Sequence, residues 1–245
     1  MDTKELDFFK KQIESYINKA RMGSVVVTTF LDETQQAIIN TFYTEDIDVI
    51  YDGGFIGAES KRVIFKPYSI DQVDSKICIY KIIYNKRYLE INHRNILGSL
   101  MSLGIKRENI GDIVIQNEHA FFACTEEISQ YLKNYFKTIG RMSIELIEYN
   151  EKIEIIKDLK IENHIISSLR IDVIIASAFK MSRSEANEMI IGGLVKLNHL
   201  ICTNISKNVK LDDVISVRHK GRVYLTDIGG KTRSDRIVVK LGFLK

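Results

Sequence analysis

The sequence predicts an α+β fold in several parts, and three observations support this prediction. Segments with helical spacing of apolar residues alternate with segments that have the two-residue alternation of strands. The middle of the chain reads as β-α-β-β-α-β, the order of a ferredoxin-like fold. The 245 residues leave room for two or three small domains. We predict a small N-terminal α/β domain over 1–73, a ferredoxin-like middle domain over 76–149, a connecting segment over 150–168 and a C-terminal domain over 169–245.

The N-terminal domain is predicted to begin with a helix over 4–21, where apolar residues recur at spacings of three and four. The run at 25–31 predicts a strand, Asp32 is suited to cap a second helix, and 48–51 predicts another strand. Glycines follow at positions 53, 54 and 57. Their spacing fits neither the P-loop nor the dinucleotide-binding motif, so we interpret them as a structural turn.

The middle domain contains the six elements of the ferredoxin-like order, which RNA-recognition motifs also use. These elements are a strand at 77–84 continuing through 87–91, a helix at 94–104, strands at 112–116 and 119–125, a helix at 127–139 and a strand at 141–149. The strand at 119–125 lacks the glycine and basic residues of an RNP1 motif. We therefore interpret Phe121 and Phe122 as core or interface residues and not as platforms for stacked bases.

Four polar residues near the first helix of this domain are candidates for a contact with an anion or a partner. His93 and Arg94 begin that helix, and Lys106 and Arg107 follow its end. The charge of Arg94 in the first turn opposes the helix dipole unless an anion or carboxylate is near. His93 has no Cys-His or Ser-His-Asp partners in the sequence, so an anion or partner contact is preferred, with a structural cap as the alternative.

The C-terminal domain is predicted to contain two short helices. In the first, Ile171, Ile174, Ile175 and Ala178 form one apolar stripe. The second begins at Ser182, which can cap it, and ends at the glycines 192 and 193. On the second helix Arg183 and Asn187 share a face apart from the apolar residues, so a cation and an amide are presented together near a helix N-terminus, an arrangement that favours phosphate.

Two strands with alternating side chains follow these helices, at 194–198 and 214–218. In each strand the apolar side chains face inward and the polar ones outward. A turn is predicted between them at 208–213. The outward side of the domain is therefore basic and has few carboxylates.

This combination of residues resembles the small RNA-binding module first seen in ribosomal protein S4. The resemblance rests on Arg170–Asp172 in the first helix, Ser-Arg-Ser at 182–184, Gly-Gly-Leu-Val-Lys-Leu-Asn at 192–198 and Asp-Asp-Val-Ile-Ser-Val at 212–217. His199 stands where the module usually turns through glycine. The resemblance implies that this domain binds structured RNA. The candidate RNA-binding residues are Arg170, Ser182, Arg183, Ser184, Asn187, Lys196, Asn198, Arg218, Lys220 and Arg222.

Nearly the whole chain resembles the YlmH family of bacterial RNA-binding proteins. The segments that carry this resemblance are 30–39, 53–65 and 91–115, followed by the C-terminal module. The family usually reads His-Arg-Asp-Tyr-Leu-Gly where this sequence has His-Arg-Asn-Ile-Leu-Gly at 93–98, and Ala-Glu-Arg-Lys-Arg where it has Ala-Glu-Ser-Lys-Arg at 58–62. The resemblance implies association with the ribosomal large subunit, contact with ribosomal and transfer RNA, a part in rescuing stalled large subunits, and a genomic link to cell division.

Charge is divided unevenly along the chain. The formal net charge is +3, but residues 160–245 have a net charge of +7 and residues 1–159 a net charge of −4. A charge excess alone is typical of a solvated surface; together with the module it favours a polyanion as the partner of the C-terminal end. The sequence does not identify a protein partner for the acidic N-terminal half.

Composition argues against several other classes of function. No apolar run is long enough to cross a bilayer, and the N-terminus carries acidic residues unlike a signal peptide, so we predict a cytoplasmic protein without membrane insertion. Cys78, Cys124 and Cys202 have no metal-ligand spacing and lie in apolar surroundings, so buried free thiols are expected. No cofactor or metal is predicted.

The preferred function is a non-catalytic RNA-binding factor on the ribosome. The alternative is an RNA-modifying enzyme, such as a relative of pseudouridine synthases or ribosomal RNA methyltransferases, because such enzymes carry the same module. Arg170-Ile171-Asp172 resembles the Arg-x-Asp around a pseudouridine-synthase nucleophile, but here it lies on the first helix of the binding module. A third possibility is a protein-interaction scaffold in cell division, with RNA binding incidental.

Overall fold

The computed structural model describes residues 3–42, 44–85, 91–116 and 119–244 and has the predicted mixture of helices and strands. It divides into two compact units, Met1–Ile156 and Lys157–Lys245. The predicted N-terminal and middle domains both lie in the first unit. The predicted boundary between these two domains lies inside this unit.

The N-terminal part contains a three-stranded antiparallel sheet and two helices. Its elements are α1 (Thr3–Arg21), β1 (Val26–Val27), α2 (Glu33–Ile39), β2 (Asp48–Asp52) and β3 (Arg62–Lys66), with the strands in the order β1-β3-β2. Ile13, Ile17 and Ala20 bury the inner face of α1. The side chains of Asp32 and Gln35 form a capping box at the start of α2, as the sequence indicates for Asp32.

The strand predicted at 25–31 is shorter, because only Val26 and Val27 pair regularly with β3, and Leu31 adds a single bridge to Lys61. The glycine segment is a turn, as predicted. Gly54 and Gly57 both have φ of +80°, a conformation that glycine adopts without a steric penalty.

The middle part has the ferredoxin-like topology. Its elements are β4 (Ile77–Tyr84), α3 (His93–Ser102), β5 (Ile110–Gln116), β6 (His119–Thr125), α4 (Glu126–Tyr135), β7 (Thr138–Ile139) and β8 (Met142–Glu148), with a short 3-10 turn at Arg107–Asn109. The antiparallel strands lie in the order β5-β6-β4-β8-β7. The predicted extension of β4 through 87–91 falls mostly on residues 86–90, which lie outside the described residues.

The second helix of the middle part ends earlier than predicted. The apolar spacing at 127–139 predicted one continuous helix, but α4 ends at Tyr135. Thr138 and Ile139 instead pair with β8 through a tight turn at Gly140, whose φ is +60°. Ile139 is buried in the core. An apolar residue at this position suits a helix as well as a strand, so the apolar pattern alone did not distinguish a longer α4 from β7.

The two faces of the middle sheet are both covered. Phe122 is buried on the helix side with Tyr80 and Ile82, whereas Phe121 belongs to a second cluster that includes Phe30 and Phe55 from the N-terminal part. Phe121 and Phe122 are therefore core residues, as predicted. The same pairing places Cys78 directly opposite Cys124 on neighbouring strands, and both are free thiols.

Arg62 joins the two parts of the first unit from a buried position. Only 3% of its side chain is exposed, and Nη2 lies 3.2 Å from the Glu127 carboxylate. Its Nε donates to the Thr28 carbonyl and its Nη1 to the Lys76 carbonyl, both at 2.6 Å. These hydrogen bonds satisfy a charge whose burial would otherwise be costly.

The second unit is built on a six-stranded antiparallel sheet. Its elements are β9 (Leu159–Ile166), α5 (Ile171–Ala178), α6 (Arg183–Ile191), β10 (Val195–Leu197), β11 (Leu200–Ile201), β12 (Val214–Val217), β13 (Gly221–Lys231) and β14 (Ile237–Leu244). The strand order is β11-β10-β12-β13-β14-β9. The two helices pack on one face of this sheet around a core that includes Ile174, Ile190 and Ile215.

The predicted connecting segment at 150–168 is divided between the units. Ile153 is buried in the first unit, where Glu154 forms a bridge with Ile56. Residues 159–166 pair along their whole length with β14 and so belong to the second unit. These residues form β9, and no helix lies among the described residues between β9 and α5.

Replacing Gly111 with alanine should destabilise the first unit. A Cβ at Gly111 would lie 2.6 Å from Cε1 of Phe30 and 3.0 Å from Cβ of Ala123, so the shared core must shift. We expect Gly111→Ala to lower the free energy of unfolding by about 1–3 kcal/mol. Chemical denaturation of the full chain measures this.

Gly230→Ala is the matched control, because a Cβ there would meet no atom within 4 Å. Equal stabilities for Gly111→Ala and the parent protein would contradict a core shared by the N-terminal and middle parts.

Candidate nucleic-acid interface

A buried carboxylate joins the first turns of the two helices of the second unit. Asp172, in the first turn of α5, has an exposed fraction of 0%. Its Oδ1 accepts a hydrogen bond from Nε of Arg170 at 3.0 Å. Its Oδ2 accepts from Nη2 of Arg170 at 3.2 Å and from Nη2 of Arg183 at 2.6 Å. Arg170 occupies the N-cap position of α5 and Arg183 is the first residue of α6, so one carboxylate holds guanidinium groups from the starts of both helices.

The two arginines remain accessible although their shared partner is buried. The side chain of Arg170 is 36% exposed and that of Arg183 is 57% exposed. Each guanidinium has five N–H donors, more than Asp172 can accept. The surface above Asp172 therefore presents N–H donors and positive charge, which suits phosphate oxygens.

Asp172 stays ionised in this position. Burial by itself raises the pKa of Asp172, but the hydrogen bonds and charges of Arg170 and Arg183 outweigh burial, and the net pKa lies below its ordinary value. The folded state therefore binds this proton less readily than the unfolded chain does. The resulting stabilisation is fully present above the unfolded-chain value of about 4 and is lost as the pH falls through the folded-state pKa.

The start of α6 is capped internally. The Ser182 hydroxyl accepts a hydrogen bond from the backbone N–H of Glu185 at 3.1 Å, and the Glu185 carboxylate accepts from the Ser182 N–H at 2.8 Å. The pKa of Glu185 is lowered mainly by these contacts with Ser182, and the charge of Lys220 lowers it further. Lys220, in the turn before β13, therefore lies near the start of α6. Ser184 is exposed there.

A second group of predicted residues lies on the sheet. Lys196 of β10 is directly opposite Ser216 of β12, which is directly opposite Arg222 of β13. Residues that face each other on neighbouring strands project from the same face of a sheet. This row alternates with the core residues Ile215 and Val217, so it lies on the face away from the helices. Arg218 follows β12 and is exposed.

The side-chain oxygens of the two predicted asparagines face the protein, whereas the arginines are accessible. Nδ2 of Asn198 donates to Asp213 at 2.7 Å, and Oδ1 of Asn198 accepts from the Val214 N–H at 2.9 Å. Both side-chain atoms of Asn198 therefore fix the turn between β10 and β11, where Asn198 and His199 have positive φ. Oδ1 of Asn187 is buried, so Asn187 does not present this atom beside Arg183 as predicted.

The four candidates of the middle part do not form one site. Asn92, and not His93, caps α3, with its side chain accepting from the Asn95 N–H at 2.9 Å. Burial and then the charge of Arg107 lower the pKa of His93, against a smaller opposing effect of Asp112, so His93 lies near Arg107. Arg94 lines a different cavity from the one that Arg107 lines.

Lys106 and Arg107 line a cavity of about 610 Å³ with residues of the N-terminal part. Arg107 also donates through Nη1 to the Ile110 carbonyl, and Lys106 lies 4.0 Å from the Glu108 carboxylate. The four predicted residues therefore lie at two places. His93, Lys106 and Arg107 are near one cavity, and Arg94 lines the other.

The described ranges contain no cluster of three His, Cys, Asp or Glu residues that could hold a metal ion. Among the helices of these ranges, none is long and apolar enough to span a bilayer.

Sequence reasoning missed three features of these surfaces. It considered Asp172 as part of the Arg-Ile-Asp motif and did not identify its bond to Arg183, eleven residues away. It identified Ser216 as outward-facing but not its place between Lys196 and Arg222. The sequence contained two relevant signals, the Arg-x-Asp spacing at 170–172 and the alternation of side chains along the strands. The strand register was required to show which outward-facing residues lie together. It did not select Arg141, which lines the same cavity as Arg94.

Two family models match the chain. The model of the RNA-binding domain in YlmH matches residues 71–153, which span the ferredoxin-like part. The S4 domain model matches residues 169–215, which contain α5, α6 and strands β10 to β12. Both arginines held by Asp172 lie within the second match.

Similar proteins cover most of the chain. Ribosome-associated protein quality control protein P2 of Bacillus subtilis (strain 168) is 29% identical over 241 residues, which is 93% of this chain and 94% of that protein. The solved structure of cell division protein ylmH from Streptococcus pneumoniae is 24% identical and covers 61% of this chain and 94% of that chain, with a TM-score of 0.52. This structural likeness supports the fold.

Removing the carboxylate of Asp172 should destabilise the second unit strongly. Asp172→Ala leaves two guanidinium groups at a partly buried site without their shared acceptor. We expect a loss of about 1.5–3 kcal/mol in the free energy of unfolding, because charged hydrogen bonds are lost while the two arginines remain partly exposed to water. Hydrogen exchange over residues 171–178 reports this unit directly.

The matched control is Asp227→Ala, which removes a carboxylate that pairs with Lys240 at 2.9 Å and is 47% exposed. That change should have little effect on stability, because an exposed ion pair contributes little to it. Similar exchange protection of α5 in Asp172→Ala and Asp227→Ala would contradict the structural role of Asp172.

Proposed function

Because this chain belongs to the YlmH family of RNA-binding proteins and carries an S4 domain, we propose that it is a non-catalytic factor that binds structured RNA on the ribosome. The observation that carries this proposal is the pair of exposed guanidinium groups of Arg170 and Arg183 on one buried carboxylate. A fixed pair of arginines can bind a phosphate with little loss of side-chain freedom.

In this proposal the RNA backbone contacts the start of α6. Arg183 supplies a guanidinium, Ser184 is exposed beside it, and Lys220 adds charge from the neighbouring turn. The row of Lys196, Ser216 and Arg222 supplies a further contact from the sheet. These contacts read the RNA through its backbone and shape, which is how proteins usually recognise folded RNA.

The proposed setting is the large ribosomal subunit, with ribosomal RNA and transfer RNA as ligands. The support is a relative that covers 93% of this chain and is named as a ribosome-associated protein quality control protein. We propose the same process for this chain, in the cytoplasm. A connection with cell division is proposed on weaker grounds, since it comes from the name of a structural neighbour at 24% identity.

The non-catalytic part of the proposal rests on Asp172. An RNA-modifying enzyme with an Arg-x-Asp motif needs an accessible carboxylate, whereas Asp172 is fully buried and bonded to two arginines. We propose that Asp172 positions these arginines. The first unit, with its acidic charge, is proposed to dock on the ribosome or to recruit a partner, with His93, Lys106 and Arg107 as contact residues.

Arg183→Gln should weaken RNA binding by about tenfold, the equivalent of one charge-assisted contact of about 1.4 kcal/mol. The slope of log affinity against log salt should become shallower by about 0.7 to 0.9, because one phosphate contact is lost. Fluorescence anisotropy of the full chain with a fragment of large-subunit RNA measures both quantities.

Arg233→Gln is the control, because it removes the same charge from an exposed turn of the same unit. If the two variants lose equal affinity, general charge and not the geometry at Asp172 accounts for binding.

The absence of RNA modification is tested in cells. Mass analysis of ribosomal and transfer RNA should find the same modified nucleotides with and without the gene. A modified nucleotide that disappears with the gene, and that the purified protein restores in vitro, would establish the enzyme alternative instead. Sedimentation of the protein with large subunits is the accompanying measurement of ribosome binding.

A further inference from the structure

A basic cleft lies between α3 and the turn that joins β7 to β8. Its volume is about 640 Å³, within the range of pockets that bind small ligands. Arg94 lies in the first turn of α3 and Arg141 lies in the turn between the strands. Gly98, Gly140 and Met142 also line the cleft.

The positive charge of this cleft has no neutralising partner in the described part of the chain. Among the lining residues that the structure describes, two are arginines and none is a carboxylate. Both Arg94 and Arg141 are exposed, and neither forms an ion pair with a residue in the described ranges. Two guanidinium groups from different elements therefore face one open space with their donors available.

Gly98 leaves the backbone of α3 uncovered at this cleft. It lies in the middle of α3, where glycine costs about 1 kcal/mol of helix stability relative to alanine. A Cβ at Gly98 would meet no atom within 4 Å, so packing within the protein does not require glycine there. A Cβ at Gly140, on the opposite wall, would also meet nothing. Both walls therefore leave the backbone open to a group that approaches from the cleft.

We propose that this cleft binds an unpaired segment of RNA, a proposal that rests on the RNA-binding function given above. Arg94 and Arg141 bind phosphate oxygens, and Gly98 lets the sugar-phosphate chain lie close to the helix backbone. Met142, half-buried in the lining of the cleft, offers an apolar surface to a base. This is a contact of the ferredoxin-like part with its own residues, distinct from the S4 domain.

RNA fits these features better than an acidic protein does. A guanidinium pairs bidentately with phosphate, and an RNA strand presents a phosphate at each nucleotide, so two arginines on separate elements can each engage one. Single strands also combine a basic groove with apolar contacts to bases, as the arginines and Met142 would do. The carboxylates of an acidic protein could pair with the arginines, but they would not account for the open helix backbone at Gly98.

The charge test is Arg94→Gln with Arg141→Gln in the full chain. Binding of a short fluorescein-labelled oligouridine should weaken by at least about tenfold, and the salt slope should fall by about 1.4, since each single-strand phosphate contributes about 0.7. The matched control is Lys10→Gln with Lys11→Gln, which removes two exposed positive charges from α1. This control should retain nearly the parent affinity and slope.

The steric test is Gly98→Leu, which fills the cleft without changing charge. Leucine is a better helix former than glycine, so α3 should be at least as stable as in the parent protein. Oligouridine binding should nevertheless weaken about as much as in the double arginine variant. Polyglutamate serves as the competitor that represents an acidic protein.

Three results would overturn the inference. These are parent-like binding by Gly98→Leu, a double arginine variant that matches the lysine control, or displacement of oligouridine by polyglutamate at equal charge concentration. In the first two cases, a continued effect of Arg183→Gln on folded RNA would leave the proposed function standing. Failure of the parent chain to bind any RNA would instead refute the proposed function itself.

Discussion

The ionised carboxylate of Asp172 is the constraint on which the proposed interface depends. A buried charge is stable only when it is paired and hydrogen-bonded, and here two arginines supply the pairing. The carboxylate needs both guanidinium groups, so the starts of α5 and α6 have to meet at one point. The same bonds restrict the arginines to one geometry while their outer N–H groups stay accessible. Folding of the second unit and display of its cationic surface are therefore coupled.

The sequence predicted the elements well where one face is apolar and the ends carry capping residues. The helix at 4–21, the cap at Asp32 and the strand at 119–125 correspond closely to α1, α2 and β6. Predictions failed where apolar spacing suited both conformations, as at Thr138–Ile139, or where a strand depended on a distant partner. Residues 159–166 are a strand because β14 pairs with them, and nothing local to 150–168 specifies that partner.

The candidate site was predicted less completely than the fold. The residue types were identified from the sequence, but their roles depend on contacts between distant positions. Arg183 acts with Asp172, Asn198 is used by the β10–β11 turn, and Arg94 shares a cleft with Arg141 instead of a site with His93. Side-chain register across strands and helices decides these combinations, and a linear pattern does not contain it.

Binding of folded RNA by Asp172→Asn, Arg183→Gln and the double variant tests the central claim most directly. Asp172→Asn removes a negative charge, so simple electrostatics predicts tighter binding to RNA. The account predicts weaker binding, because the arginines lose their fixed geometry, and it predicts that the double variant binds about as well as Arg183→Gln alone. Tighter or unchanged binding by Asp172→Asn, in a protein whose α5 remains protected from hydrogen exchange, would contradict the account.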